Sequence, residues 1–191
     1  MNGDTARAEY VCIAVDVGAV LQVAGKADAV ESATAPTRHI AAKSADVIAT
    51  STAQLHPTDI TAHLPHAIVI AARAGDFLRI YAVSGSNNFE SAVLLADMLA
   101  QSRSDAPDVV SAFELAAFEQ IPVTPSTEPL AFGDVSTNAE FWFWQATFES
   151  AGTQQCHAVL ALYDRDDQGQ PRFAGLYRWD FKLTVKLQEA T

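Results

Sequence analysis

Three runs of strand-like sequence, separated by turn residues, fill residues 140–187, and they constrain the fold more than any other part of the chain. The first run, residues 141–148, places two of the three tryptophans on one face of a strand, because successive strand side chains point to opposite sides. The second run, residues 156–163, is apolar on both faces, as a central strand is. The last run, residues 181–187, alternates large apolar residues with Lys and Thr. The segment therefore predicts antiparallel β-structure.

The length of 191 residues and the 49% hydrophobic content fit one compact domain. Together with the strand patterns they predict an all-β fold, an antiparallel, jelly-roll-like β-sandwich with at most short helices. We expect this single domain to cover residues 1–191, with a flexible N-terminus at residues 1–9. Residues 18–35 are alanine-rich and weakly patterned, so we expect a surface excursion with a short helix there.

The charge balance limits the classes of partner. The chain carries 23 acidic and 12 basic residues, a formal net charge of −11. Such a charge repels phosphate backbones and anionic lipids, so neither nucleic acid nor a membrane is expected as a partner. The N-terminus lacks the apolar segment of a signal peptide, and no stretch approaches the roughly 20 apolar residues of a membrane span. We therefore expect a cytoplasmic protein.

Both cysteines, Cys12 and Cys156, lie in apolar strand-like runs. Buried reduced thiols are the favoured interpretation, because disulfides are uncommon in cytoplasmic proteins. A disulfide between the two residues is the alternative that the sequence leaves open.

Two further segments bear on the topology. Residues 67–73 and 77–83 are strand-like and flank an Ala-Gly-Asp turn, which predicts a hairpin. Residues 89–101 have apolar side chains near helical spacing and are rich in Ala, Leu and Met, so intrinsic propensity favours a helix with Asn88 as its N-cap. Their place between two strand regions favours a strand instead.

Candidate metal ligands are scattered along the chain. The loop histidines His39, His56, His63 and His66 match no zinc spacing. Residues 164–169, D-R-D-D-Q-G, partly imitate a calcium loop, but an EF-hand needs a bidentate Glu where this chain has glycine. A turn between two strands explains the same residues, so no metal site is predicted.

The patterns typical of nucleophilic catalysis do not occur either. The V-S-G-S-N segment at residues 83–87 is not the G-x-S-x-G elbow of a hydrolase. Cys156 and His157 are adjacent in a predicted strand, so their side chains point to opposite faces and cannot pair. We therefore assign no catalytic residue and no cofactor. A hydrolase whose Asp, Glu and His residues meet only in space stays open.

The aromatic residues of the C-terminal third either fill a core or form a surface on which a sugar ring stacks. Core filling is favoured for any one of them. Arg178, Trp179 and Asp180 are the exception, because an aromatic residue and two opposite charges interrupt the alternation at a corner just before the last strand. With Trp144, these three residues form the candidate ligand-binding set, and a carbohydrate or another small molecule is the expected ligand.

Four short segments, taken together, bear on the family to which the chain is similar. They are A-G-D-F-L-R at residues 74–79, F-W-Q-A at residues 143–146, L-Y-D-R-D at residues 162–166 and G-L-Y-R-W-D at residues 175–180. These segments resemble the sequences of the bacterial inclusion body proteins of the PixA/AidA family. The chain departs from that family's pattern at Phe181, where the family usually has proline.

The resemblance implies a β-sandwich protein that certain bacteria make in quantity under regulatory, stationary-phase or quorum control and that is linked to host association. It implies no catalytic reaction. It also implies that residues 91–99 form a strand against their own helix propensity, and we adopt that prediction.

Three functions from different classes follow from these observations. The first, which we favour, is a non-enzymatic accessory protein that self-associates as a homo-oligomer and binds a carbohydrate-like ligand. The second is a hydrolase with a spatially assembled Asp, Glu and His site. The third is a small-molecule sensor with an apolar pocket between two sheets.

Overall fold

The structure is a computed structural model, and it describes residues 6–24, 45–51, 67–85, 90–118 and 141–188. Within these ranges most residues lie in strands, and the helical part is one short helix. The elements, in chain order, are β1 (Ala8–Val15), α1 (Val17–Ala24), β2 (Ala45–Ser51), β3 (Ala67–Ala72), β4 (Phe77–Ser84), β5 (Ala92–Ala100), β6 (Glu114–Phe118), β7 (Phe141–Thr147), β8 (Gly152–Arg165) and β9 (Pro171–Leu187).

The strands form two sheets with one hydrophobic core between them. Sheet A has five strands in the order β2-β1-β4-β7-β6, and sheet B has four strands in the order β3-β9-β8-β5. The predicted all-β sandwich with at most short helices is therefore confirmed. Two pairs, β1 with β4 and β3 with β9, are parallel, so the sheets are mixed where the sequence predicted antiparallel pairing throughout.

Alternation along the strands decides which side chains enter the core. In β1, Val11, Ile13 and Val15 are buried, while the residues between them are half-buried on the other face. Strand β9 follows the same period of two from Tyr177 onward. Its large buried side chains are Tyr177, Trp179, Phe181, Leu183 and Val185. Burial of each such side chain contributes about 1.5–3 kcal/mol, so β9 is a main source of the stability of the sandwich.

Counting the described strands, sheet A has one more than sheet B, and part of the core-side face of sheet A is covered by none of the described strands of sheet B. Edge strand β5 of sheet B packs over β4 and β7, and β6 lies beyond it. On the core-side face, Leu115 of β6 and Trp142 of β7 are each 54% exposed, although Ala146 on the same face of β7 is buried.

The predicted hairpin at residues 67–83 is wrong, because its two strands belong to different sheets. Strand β3 pairs with β9, and β4 pairs with β1 and β7. The connection between them therefore crosses from sheet B to sheet A. The carboxylate of Asp76 fixes it by accepting hydrogen bonds from the backbone N–H groups of Arg7, at 2.9 Å, and Arg73, at 3.2 Å. Turn residues predict that the chain reverses, but they do not specify to which sheet the next strand returns.

Strand β5 confirms the prediction that residues 91–99 form a strand against their helix propensity. It pairs antiparallel with β8, apart from a register shift between Leu95 and Asp97. Pairing places Val93 and Met98 in the core. This burial outweighs a propensity difference that amounts to less than about 1 kcal/mol per residue.

The corner expected at Arg178, Trp179 and Asp180 does not exist, because β9 is one continuous strand of 17 residues. These three residues continue the alternation of the strand, with Trp179 buried in the core and its two neighbours partly exposed on the other face. The interruption that the sequence suggested arises from the type of the side chains and not from a change of backbone direction.

The predicted reversal between β8 and β9 is confirmed, and Asp166 organises it. The Asp166 carboxylate accepts hydrogen bonds from the backbone N–H groups of Gln168, at 2.9 Å, and Gln170, at 2.8 Å. Gly169 adopts a φ of 75°, which residues with a Cβ rarely adopt. The Asp166 carboxylate of the acidic segment therefore serves as a hydrogen-bond acceptor for backbone N–H groups of the turn.

Two expectations for the N-terminal part can be compared with the structure. Helix α1 is the short helix expected near the start of residues 18–35, and the carboxylate of Asp16 accepts a hydrogen bond from the backbone N–H of Ala19 at 2.9 Å, as an N-cap does. Ala8 and Glu9, which the sequence assigned to the flexible N-terminus, are the first residues of β1. The rest of residues 18–35 and the four loop histidines lie outside the described residues.

Candidate functional site

The four residues predicted to bind a ligand do not share one surface of the sandwich, because two of them face the core and two face outward. Trp179 is 1% exposed, and its ring stacks on Phe181 with the centroids 4.6 Å apart. Trp144 packs against the core, and its indole N–H donates a 3.0 Å hydrogen bond to a backbone carbonyl of β5. Arg178 and Asp180 lie on the outer face of sheet B. The structure therefore does not bring the four residues together, and Trp179 presents no ring face to a ligand.

On the outer face of sheet B, Arg178 and Asp180 form an ion pair beside His157. Nε of Arg178 donates to Oδ1 of Asp180 at 2.7 Å, and His157 of β8 is directly opposite Asp180 in the register of the two strands. Burial, with a smaller effect of the Arg178 charge, lowers the pKa of His157, while Asp180 and Asp97 act in the opposite direction. The imidazole is therefore neutral near pH 7. Its Nδ1 is buried without a hydrogen-bond partner among the described residues.

A denser cluster surrounds Arg79 on the outer face of sheet A. Its Nε donates to Oε1 of Gln145 at 2.8 Å, and its Nη1 donates to the hydroxyl of Tyr10 at 2.8 Å. The guanidinium carbon also lies within 5.0–5.9 Å of the centroids of four aromatic rings. These rings belong to Tyr10, Phe77, Phe118 and Phe143. We call these six residues the Arg79 cluster.

Strand register explains how the Arg79 cluster forms. Arg79 of β4 is directly opposite Tyr10 of β1 on one side and Gln145 of β7 on the other. Each cation–π contact contributes about 0.5–1 kcal/mol at an exposed position and about 2 kcal/mol when desolvated. Phe143 is buried in the cluster, whereas Phe118 on edge strand β6 is 38% exposed. The cluster thus presents an aromatic ring beside hydrogen-bonding groups at the surface of sheet A.

Two titratable groups continue this face beyond the Arg79 cluster. Tyr81 of β4 is directly opposite Cys12 of β1, and its ring meets Phe141 edge-on with the centroids 4.9 Å apart. Burial raises the pKa of Tyr81 to about 12, and it also raises the pKa of Cys12. On the core side of β8, burial raises the pKa of Cys156 to about 12. All three groups are neutral near pH 7, so none is activated as a nucleophile. Both cysteines are free thiols.

One signal in the sequence points to the Arg79 cluster, although the predicted site residues do not include it. Phe77, Arg79 and Tyr81 alternate along β4, so an arginine and two aromatic side chains share the face opposite to Leu78 and Ile80. A face that points away from the core is expected to be polar, and large aromatic residues on it are unusual. The partners on β1, β6 and β7 are distant in the sequence, and only the register of the sheet brings them to the same place.

An open cleft of about 850 Å³ lies where the end of β1, the start of α1 and the end of β8 meet. Its lining includes the apolar residues Val15, Val17 and Leu21 and the acidic residues Asp16, Glu90 and Asp164. The Asp164 carboxylate is already paired with the Arg172 guanidinium through hydrogen bonds of 3.1 and 2.9 Å, and that of Asp16 caps α1. The acidic lining disfavours an anionic ligand in this cleft.

Neither a metal site nor a membrane-spanning helix occurs among the described residues. Within the described ranges, no three His, Cys, Asp or Glu side chains are placed so that they could hold a metal ion. No helix among the described residues is both long enough and apolar enough to cross a membrane.

A family model and a solved structure are similar to this chain over nearly its whole length. The sequence model of PixA, described as inclusion body protein, matches residues 10–185. The crystal structure of an inclusion body protein (PixA) from Burkholderia cenocepacia aligns with 97% of this chain and 100% of its own, at 15% sequence identity and a TM-score of 0.68. No curated protein sequence matches the chain.

Two further solved structures align over a smaller share of the chain. The cysteine protease inhibitor EhICP2 from Entamoeba histolytica covers 63% of this chain and 87% of its own, at 11% identity and a TM-score of 0.29. Amebosin covers 63% of this chain and 88% of its own, at 13% identity and a TM-score of 0.22. Similarities this low carry no argument about this protein.

The family match and the fold agree with each other. The match begins within β1 and ends within β9, so it includes most of these two strands and all of the described strands between them. The solved PixA structure has the same two-sheet fold at its full length. The chain therefore belongs to the PixA family of inclusion body proteins.

Proposed function

We propose that the protein is non-enzymatic and that its function is to self-associate in the cytoplasm, as a homo-oligomer that grows into assemblies of the inclusion-body type. The supporting observation is the apolar surface where β6 extends beyond sheet B. Leu115 and Trp142 are each 54% exposed on the core-side face there, and Phe118 on the outer face is 38% exposed. Large apolar side chains that cluster at a sheet edge are typical of a contact between protein chains.

The net charge of −11 opposes this association, and it gives self-association a characteristic dependence on conditions. Two copies repel each other at low ionic strength, where charges interact over tens of ångströms. Salt screens the repulsion and leaves the apolar contact largely intact. Association should therefore increase with both protein concentration and salt.

The titratable side chains support a non-enzymatic function. Burial raises the pKa values of Cys12, Tyr81 and Cys156, so their nucleophilic anions are disfavoured near neutral pH. A nucleophilic enzyme needs the opposite shift or an adjacent base. The His157 imidazole has two carboxylates near it, but one of them is already paired with Arg178. The hydrolase alternative has no comparable support among the described residues.

A second candidate function is binding of a carbohydrate-like ligand at the Arg79 cluster. The exposed ring of Phe118 offers a face on which the C–H groups of a sugar ring can pack. The guanidinium of Arg79 lies beside that ring, and it is hydrogen-bonded to the Tyr10 hydroxyl and to the side-chain amide of Gln145. This placement moves the ligand-binding hypothesis from Trp144 and Trp179 to the outer face of sheet A.

Light scattering on the purified chain tests self-association. The weight-average mass should rise above that of one chain as the protein is concentrated from micromolar to millimolar, and the rise should be steeper at high salt. A mass that stays at one chain under all these conditions contradicts the proposal.

A glycan array tests the second candidate function. We expect Phe118→Ala to abolish binding, and we expect the control Phe173→Ala to retain it, because Phe173 is an aromatic residue of sheet B that is 48% exposed. Equal binding by both variants contradicts a site at the Arg79 cluster. Production in quantity under stationary-phase or quorum control, and a link to a host, stay predictions of the family resemblance, and protein abundance along a growth curve tests the former.

A further inference from the structure

The part of sheet A that extends beyond sheet B is the most distinctive unpartnered surface among the described residues. We call it the β6 ledge, and it consists of strand β6 (Glu114–Phe118) together with Trp142 of the neighbouring strand β7. Leu115 and Trp142 are each 54% exposed on its core-side face because edge strand β5 of sheet B packs over β4 and β7 instead. Within the ranges that the structure describes, the ledge thus has core-like side chains that no strand of sheet B covers.

The two sheet edges on this side of the sandwich differ in how they resist pairing with another strand. Edge strand β5 has a register shift between Leu95 and Asp97, a Trp144 indole that donates to the Leu95 carbonyl at 3.0 Å, and an Asp97 carboxylate that accepts from the Met98 N–H at 2.9 Å. Irregular pairing and occupied backbone groups protect an edge.

Edge strand β6 lacks each of these protections within its described residues. It pairs with β7 in an unbroken register from Glu114 to Phe118, and it contains no lysine and no proline. It stands at the outer end of sheet A, and no other described strand pairs with its second side. A regular, mostly apolar edge of this kind is a template for one more strand.

We propose that a second copy of this chain occupies the β6 ledge, with the two β6 strands paired antiparallel about a two-fold axis at Ala116. This inference rests on the proposed function, because it specifies the contact that forms a dimer, and larger assemblies then grow from that dimer through other surfaces. The closed two-fold contact joins the two A sheets into one continuous sheet across the dimer.

The sequence of β6 is self-complementary in this register. The two Ala116 residues meet at the axis, Leu115 is opposite Ala117 of the partner subunit, and Glu114 is opposite Phe118 of the partner subunit. Small residues therefore lie at the centre, and each leucine faces an alanine beside the exposed Trp142. The two Glu114 carboxylates lie at opposite ends of the paired strands, so like charges do not meet, as a stable cross-strand pairing requires.

The area available at the ledge sets the strength of the contact. Aromatic side chains bury about 150–250 Å² when fully covered, so the exposed parts of Trp142, Phe118 and Leu115 leave roughly 300 Å² of apolar surface per copy, or about 600 Å² for two copies. A stable interface buries about 1,200–2,000 Å². The β6 contact is therefore weak on its own, and it is populated at the high protein concentrations at which dense assemblies form.

Cross-linking tests the register. Ala116→Cys places two thiols directly opposite each other, at a Cα separation of about 4.5–5.5 Å that a disulfide can span. Ala117→Cys is the matched control, because its two thiols would be offset by two residues, beyond the roughly 7 Å limit. Under mild oxidation at high concentration, we expect a covalent dimer from Ala116→Cys and little from Ala117→Cys or the parent chain. Equal cross-linking of both variants overturns the proposed register.

A second pair of variants tests the surface itself and does not depend on the register. Leu115→Lys places a charge on the β6 ledge, and Leu94→Lys places the same charge on edge strand β5, at residues that are 54% and 55% exposed. We expect Leu115→Lys to raise the dimer dissociation constant by about tenfold or more and Leu94→Lys to leave it unchanged. Thermal unfolding checks that both variants fold, since both leucines are about half exposed.

The outcomes separate this inference from the proposed function. If the parent chain associates and Leu115→Lys associates equally well, the ledge is not the interface, although the protein still self-associates. If the parent chain stays monomeric at every concentration, both the interface and the proposed function are overturned.

Discussion

The indole Nε1–H of Trp144 donates a 3.0 Å hydrogen bond to the backbone carbonyl oxygen of Leu95, which joins β7 of sheet A to edge strand β5 of sheet B. The two residues are 49 positions apart in the chain, so the bond forms only when both sheets are in place. It fixes the position at which sheet B ends over sheet A. The uncovered part of sheet A, with Leu115 and Trp142, begins beyond that bond.

Replacement of Trp144 by phenylalanine should loosen this junction. Trp144→Phe removes the donor to Leu95 and part of the packing against the core, so the free energy of unfolding should fall by about 1–2 kcal/mol. The matched control is Trp142→Phe, on the same strand and face but 54% exposed, which should change stability by no more than about 0.5 kcal/mol. Denaturant unfolding measures the free energy of unfolding of both variants. Equal losses of stability in the two variants would show that the Trp144–Leu95 hydrogen bond does not stabilise the fold.

Gln154 should be the most sensitive buried polar residue among those described. Its Oε1 accepts from the backbone N–H groups of Val109, at 2.7 Å, and Val110, at 3.2 Å, and its Nε2 donates to the Gln101 carbonyl at 3.0 Å and to the Asp108 carboxylate at 3.2 Å. Gln154→Leu leaves these groups without that partner, so we expect a loss on the order of 3 kcal/mol.

A neighbouring glutamine provides the control for Gln154. Gln155 follows Gln154 in β8 and lies on the outer face, so Gln155→Leu should have a small effect on the free energy of unfolding. Denaturant unfolding of the two variants decides the matter, and similar stabilities for both would show that the Gln154 hydrogen bonds do not hold the 101–110 segment against β8.

The stability of the protein should fall as the pH falls below about 6.5, partly because of His157. Its folded-state pKa lies below the ordinary 6.5, mainly because of burial. The Arg178 charge lowers the pKa further, whereas Asp180 and Asp97 raise it. The unfolded chain therefore binds the proton first on acidification, and folding loses free energy between 6.5 and the lower folded-state pKa. Above 6.5 the contribution is fully present.

His157→Gln should flatten that part of the pH profile of the free energy of unfolding, measured by denaturant titration at a series of pH values. Loss of stability with the same slope in the variant and the parent would show that other groups are responsible. NMR titration of the imidazole gives the folded-state pKa directly, and a value above 6.5 would reverse the predicted sign.

The two cysteines should resist thiol reagents in the folded protein. Burial raises the pKa of Cys156 to about 12 and also raises that of Cys12, so the reactive thiolate is scarce at pH 8. Cys156 is fully buried, and its modification should require unfolding. Both thiols should react quickly in denaturant. Rapid modification of Cys156 in the native protein would contradict its place in the core.

The strands of the C-terminal third were predictable because side chains with a period of two record which face is buried. Phe181, Leu183 and Val185 alternate with polar residues, and the structure buries all three. The strand at residues 91–99 was predicted from the family resemblance, because local propensity favours a helix there. Its true driving force is the pairing of β5 with β8, which local sequence does not record.

Two features could not be predicted from local sequence patterns, because both depend on the order of the strands in the sheets. The Gly75 turn was compatible with a hairpin, and only the pairing of β3 with β9 shows that the chain changes sheets there. Likewise, Arg79 meets Tyr10 and Gln145 because β1, β4 and β7 are neighbours in sheet A. The exposure of Trp142 also follows from the unequal number of described strands in the two sheets, which no single segment determines.

Folded copies of this sandwich should associate reversibly through apolar surface. The most direct test is tryptophan emission of the concentrated, assembled protein and of the same sample after dilution. We expect a shift to shorter wavelength on assembly as Trp142 is covered, full reversal on dilution, and loss of the shift in Trp142→Phe. Assemblies that redissolve only in denaturant, or that form with no change at Trp142, would contradict it.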